Sequence, residues 1–190
     1  MPIHRLNHAV LFVRDVEQSV AFYSTVLGFT VATSMGPQAA FLRAPESNND
    51  HDLGLFQVGT SATSSAAGRT SVGLYHLAWE VNTLGDLDEL QRRLADAGAL
   101  GGASDHGTTK SLYGRDPDGL EFEIVWLVPA HLLGEDDIMT TAPLDLPGEI
   151  AHYGRDTRGG LGISIPLGVE LGDSASRDIR SRAMPISPPR

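Results

Sequence analysis

The chain has 190 residues, 41% of them hydrophobic, enough for one domain with a sizeable core or for two small modules. Its formal charge of −10 sets it against nucleic acid and anionic membrane, so neither is expected as a partner. It contains no cysteine, which excludes disulfides, zinc–thiolate sites and cysteine nucleophiles.

The opening MPIHRLNHAV lacks the basic and long apolar regions of a signal peptide. No apolar run approaches the ~20 residues needed to span a bilayer, so a cytoplasmic location is expected. Residues 3–13 alternate as a strand, with Leu6, His8, Val10 and Phe12 on one face. Asp15 is placed to cap a helix that begins near Val16 and carries Val16, Val20, Tyr23 and Leu27 at helical spacing, with Gly28 as its stop. Short strands are predicted over 29–33, 39–42 and 52–58, with a polar loop over 45–52.

The same order then repeats. Residues 74–81, LYHLAWEV, match LNHAVLFV, and His76 falls where His8 fell. A helix over 84–97 places Leu87, Leu90 and Leu94 on one face and stops at Gly98. Extended segments over 99–103, 111–114 and 120–128 complete a second βαβββ unit. The predicted organisation is α+β: a first module over 1–60, a Ser/Thr/Ala/Gly-rich linker over 61–73, a second module over 74–128 and an extension over 129–190. The extension holds seven of the eleven prolines, and is expected to lie on the module surface or a subunit interface with little regular structure; a strand over 161–169 is conceivable within it.

The stretch HGTTKSLYGRDPDGLEFE, residues 106–123, carries the strongest signal. Asp116-Pro117-Asp118-Gly119 is strong turn chemistry between two strands. In the strand that follows, Leu120, Phe122, Ile124 and Trp126 share one face, while Glu121, Glu123 and Val125 share the other. Glu123 sits between apolar neighbours, where a carboxylate needs a partner; a metal ion and a cross-strand Arg are the two options.

The spacing of His106, Leu112, Tyr113, Asp116-Pro117, Gly119 and Glu123 resembles the signature of extradiol ring-cleavage dioxygenases, within the vicinal oxygen chelate superfamily. Ser104, two residues before His106, departs from that pattern. The resemblance implies two βαβββ modules curled into a metal-binding β-cup, with His8, His76 and Glu123 as metal ligands. It implies Fe(II), with Mn(II) as the alternative, and a homo-oligomer acting on a small aromatic diol and O₂. Two imidazoles and one carboxylate leave three positions of an octahedral ion open for those two reactants. Tyr113 carries over as a hydrogen-bonding partner of the substrate hydroxyl, and His106 as a further substrate contact.

The acid/base His that the family places about fifteen residues before the second ligand has no counterpart over 61–65, which leaves His51 as the nearest candidate. Other readings remain: a metal-dependent isomerase, epimerase or lyase of the same superfamily, or a non-catalytic drug-binding protein of the bleomycin-resistance kind. An isomerase of the glyoxalase type would need a fourth ligand at the position of Gly54; Gln57, three residues on, falls on the opposite strand face, Asp52 is the one plausible substitute, and ligation by neither is expected.

Overall fold

The computed structural model describes residues 3, 5–68, 70–134 and 138–160. The first module runs β1 (Ala9–Val13), α1 (Val16–Thr25), β2 (Thr30–Ser34), β3 (Ala39–Arg43) and β4 (Leu53–Gln57). The second runs β5 (Leu77–Glu80), α2 (Leu84–Asp96), β6 (Leu100–Asp105), β7 (Thr109–Arg115) and β8 (Glu121–Leu127). Each module is one mixed sheet in which the first strand lies parallel to the last: β1-β4-β3-β2, and β5-β8-β7-β6 with a short ninth strand beyond β6.

Local chemistry sets the helix ends. The Asp15 side chain accepts from the Gln18 N–H at the start of α1. At α2 Thr83 and Asp86 cap each other reciprocally. Gly98 follows the α2 cap with φ +64°, a conformation glycine adopts without a Cβ penalty. The strand parity read from the sequence is visible in β8, where Phe122, Ile124 and Trp126 are buried and Glu121, Glu123 and Val125 are only partly so.

The helices cover one face of each sheet, and both modules feed a single core. Leu53, Leu55, Leu84, Leu87, Leu94, Leu112 and Trp126 are fully enclosed within it, each such side chain contributing on the order of 1.5–3 kcal/mol. Phe22 meets Phe122 across the module boundary at 6.0 Å, and Phe29 meets Trp79 at 5.1 Å. Polar clamps reinforce that boundary. Arg14 Nη1 lies 2.8 Å from Asp118 Oδ1, and the Arg14 backbone N–H donates to Asp118 Oδ2.

Asp116, a polar residue that sequence places in the turn between two strands, is buried; it accepts from the backbone N–H groups of Asp118 and Leu120 and from the Tyr23 hydroxyl. The turn doubles as the seam between modules, a role that local turn chemistry does not encode.

The described part of the extension lies on the surface of the second module and adds two short regular elements to it. β9 (Ala142–Pro143) adds to the β6 edge, and α3 (Leu146–Tyr153), capped by Asp145, packs on α2. Lys110, the chain's single lysine, ties it down: its ammonium lies 2.6 Å from Asp105 and 3.1 Å from Glu149 of α3, with its side chain 4% exposed. The Arg155 carbonyl accepts from the Gly85 N–H, and the Trp126 indole donates to the Thr157 carbonyl. The strand considered over 161–169 lies outside the described residues.

Candidate functional site

His76 sits immediately before β5, and Ala78 pairs with Glu123 across the parallel β5–β8 ladder. Parity then puts His76 and Glu123 on the sheet face turned away from α2. Their side chains meet, with Nε2 of His76 3.0 Å from Oε2 of Glu123. Tyr113 is the cross-strand partner of Glu123 on β7, and its hydroxyl lies 3.5 Å from Oε1. His106 occupies the turn between β6 and β7 and brings Nε2 to 2.9 Å from the Tyr113 hydroxyl. Burial, and then the negative charge of Glu123, push the Tyr113 hydroxyl above its usual value of 10.0. It therefore stays protonated at neutral pH and is available as a donor.

His8 and His51 form a separate group on the first module. His8 lies just before β1 and is exposed, and its Nδ1 is 2.7 Å from Asn7 Oδ1. The His8 ring lies 4.5 Å from that of His51, which in turn meets Phe41 edge-on at 5.1 Å. Nδ1 of His51 is 3.2 Å from Asp50 Oδ2. The sequence expectation that His8, His76 and Glu123 converge is therefore not met within one copy of the chain. Among the described residues no three His, Asp or Glu side chains gather as a metal site. The reason lies in the topology. β1 and β5 are terminal strands of two separate sheets, so nothing in the described ladders draws His8 towards His76.

The second module nevertheless offers part of a metal site. His76 and Glu123 supply one imidazole nitrogen and one carboxylate oxygen facing each other, a borderline–hard donor pair suited to a divalent first-row ion. Nδ1 of His76 is buried without a hydrogen-bond partner, so the ring retains capacity for a further bond. His76 and Glu123 could supply two ligands, and among the described residues no third His, Asp or Glu joins them.

The fourth-ligand position is closed. Asp52 is buried, accepting from the Ala44 N–H, the Ser47 hydroxyl and the Asn49 amide. Gln57 Oε1 accepts from the Val16 N–H at the head of α1. Both side chains are committed to local structure, and Gly54 between them has no ligand atom.

Some neighbours of the cluster escaped the sequence reading. Glu80 shares the face of His76 by strand parity, which could have revealed it, and burial raises its carboxyl above 4.5. Thr140 and Thr141 of the extension touch His106, a contact that no periodicity in that segment announces. His131 is exposed and His152 meets Tyr153 edge-on.

Comparison with known proteins agrees with this architecture. The sequence model of the Glyoxalase/Bleomycin resistance protein/Dioxygenase superfamily matches residues 5–124. The chain is 28% identical over 160 residues to a catechol-2,3-dioxygenase of Bacillus subtilis, a match covering 82% of this chain and 54% of that protein. It is 36% identical over 121 residues to biphenyl-2,3-diol 1,2-dioxygenase 3 of Rhodococcus globerulus, covering 63% of this chain and 62% of the other. The chain thus spans less than two thirds of the length of either curated relative.

Among solved structures, a glyoxylase/bleomycin resistance protein/dioxygenase domain from Frankia sp. EAN1pec superposes with a TM-score of 0.56 at 25% identity, over 68% of this chain and 96% of that one. Among the described residues no helix is long and apolar enough to cross a membrane. With its two βαβββ units in tandem and the family match running through both, the chain belongs to the Glyoxalase/Bleomycin resistance protein/Dioxygenase superfamily.

Proposed function

We propose that this protein is an Fe(II)-dependent extradiol-type dioxygenase that opens a catecholic ring, with Mn(II) as the alternative metal. The observation that carries the reading is the cluster of His76, Glu123, Tyr113 and His106 on one sheet face, with contacts of 3.0, 3.5 and 2.9 Å. Support also comes from the names of the two curated relatives, both dioxygenases named for a vicinal aromatic diol. The closed fourth-ligand position favours this reading over an isomerase of the four-ligand type.

His76 and Glu123 would hold the metal together with His8. A bound Fe(II) would supply Lewis-acid polarisation of the diol and hold the two reactants side by side. Tyr113 orients the diol through a hydrogen bond with one of its hydroxyls, and His106 behind it accepts the phenolic proton.

His8 reaches the site from a second copy of the chain. β1 and β5 are open sheet edges, and the outer face of β1 carries Val10 at 51% and Phe12 at 73% exposure, apolar surface that a neighbouring sheet would cover. A copy that contributes His8 brings His51 with it, because the two rings are in contact. His51 is then available as the missing acid/base group.

The test is anaerobic Fe(II) loading with metal analysis, followed by oxygen uptake on addition of catechol and observation of a yellow ring-opened product. Mixing inactive His8→Ala and His76→Ala chains should restore partial activity, because one of the two sites in a mixed dimer is intact. Metal-loaded protein without oxygen uptake across simple and aryl-substituted catechols would overturn the dioxygenase reading. Failure of the mixture to regain activity would overturn the shared site.

A further inference from the structure

The extension reaches the cluster through a backbone carbonyl. The Thr140 N–H donates to the His106 carbonyl at 3.2 Å, and the Thr140 carbonyl oxygen lies 3.0 Å from Nδ1 of the His106 ring. Thr141 Oγ1 stands 3.3 Å from the same nitrogen. The carbonyl oxygen only accepts and the Thr141 hydroxyl can accept as well, so both contacts are satisfied when Nδ1 carries the proton. In the neutral ring Nε2 is then a bare lone pair, and the Tyr113 hydroxyl, 2.9 Å away, has to donate to it. Tyr113 has one proton to give, so its 3.5 Å approach to Glu123 is not a second donation.

We infer that the Thr140 carbonyl is a positioning group for the site: it fixes His106 in the Nδ1–H tautomer and thereby makes Nε2 the acceptor of the Tyr113 proton beside Glu123. The inference deepens the reading of Tyr113 and His106 as the substrate-facing pair and rests on it. The neutral histidine side chain free in water favours the opposite, Nε2–H, tautomer. With Nε2 protonated, the ring would present N–H to Tyr113 and turn the phenolic proton towards Glu123. The extension thus selects which way the Tyr113 proton points, and with it whether a substrate oxygen meets a donor or a lone pair.

Gly107 permits the approach. It adopts φ +74°, and a Cβ placed there would overlap the Ile138 carbonyl oxygen. A side chain at 107 therefore drives the segment around Thr140 away from His106.

The experiment is a long-range ¹⁵N–¹H correlation spectrum of the full metal-free chain, with His106→Asn assigning the His106 signals. At a pH where the ring is neutral, Nδ1 should resonate as a protonated, pyrrole-type nitrogen and Nε2 as a bare, pyridine-type one. An Nε2–H pattern or an averaged pair in the native chain would overturn the inference. Gly107→Ala should move His106 towards that averaged or reversed pattern while the His76 signals stay in place. A folded Gly107→Ala chain that keeps the Nδ1–H pattern would remove the extension from the argument, and if that variant does not fold the native spectrum alone decides. The spectrum needs neither iron nor substrate, so the fixed tautomer without oxygen uptake would count against the dioxygenase reading and leave the tautomer assignment standing.

Discussion

Tyr23 of α1 donates its hydroxyl to Oδ2 of Asp116 at 3.1 Å, joining two modules across 93 positions of sequence. Both groups are buried, and the acceptor has two further backbone donors, so the phenol completes a polar knot inside an otherwise apolar seam. Tyr23→Phe removes the donor and leaves the carboxylate short of one bond. A buried hydrogen bond to a charged acceptor is worth about 1.5–3 kcal/mol, so urea unfolding should show a loss of that order with no change in the metal content of loaded protein.

Asp116 also gives stability a pH dependence. Burial raises its carboxyl above the ordinary 3.8, outweighing the backbone N–H groups that pull it down. A carboxyl that binds its proton more tightly when folded stabilises the fold fully below 3.8, and that contribution is lost as pH rises through the raised folded value. Unfolding measured across the acid range should therefore show this opposing slope in the native chain and its absence in Asp116→Asn. Identical slopes in the two proteins would refute the assignment.

Lys110 holds the extension. Burial pulls its ammonium down, but the hydrogen bonds and charges of Asp105 and Glu149 outweigh that and leave it raised above 10.5. Its stabilisation is therefore complete below the ordinary lysine value and fades only in strong alkali. Lys110→Met leaves two partly exposed carboxylates facing each other, an effect expected below the ~3–5 kcal/mol of a fully buried pair. Limited proteolysis should then cut between the second module and α3 faster than in the native chain.

On the proposed reading, in which the Tyr113 hydroxyl acts on substrate and is not a metal ligand, Tyr113→Phe should load as much Fe(II) as the native chain and lose turnover by roughly 10²-fold or more. Metal analysis beside steady-state kinetics separates the two roles. Loss of iron in that variant would recast Tyr113 as a support for Glu123.

Asp52→Ala should weaken the loop over 45–52, because three donors lose their acceptor, and should leave metal content intact. No turnover of a glutathione hemithioacetal is expected in either protein. Loss of metal alongside a normal melting temperature would return Asp52 to the list of ligands.

Local periodicity carried most of the fold. The alternation in 120–127 identified which side of β8 is buried, and Asp15 and Gly98 marked helix ends, because these features depend on neighbours within a few residues. The site was half legible for the same reason: Tyr113 and Glu123 face each other through one hairpin, and strand parity adds His76. His8 stayed apart because β1 and β5 lie in two separate sheets, and the placement of one sheet against another leaves no periodic trace. Asp116 was misread for a related reason. Its turn residues are polar and turn-like, yet Tyr23 arrives from another module to bury them. In the extension, proline content suggested irregularity, while two β9 residues on an open edge and an Asp145-capped helix were enough to order residues 142–153.

A single lysine enclosed by two carboxylates and the Tyr153 ring makes this chain a natural subject for covalent footprinting. Amine-selective acylating reagents, which ordinarily decorate a protein surface at many points, find one side-chain amine here, and it is shut away while α3 is docked. The extent of acylation at Lys110 is therefore a direct count of molecules whose extension has lifted. Because the same extension places Thr140 against His106, that count can be set beside the state of the site in one sample.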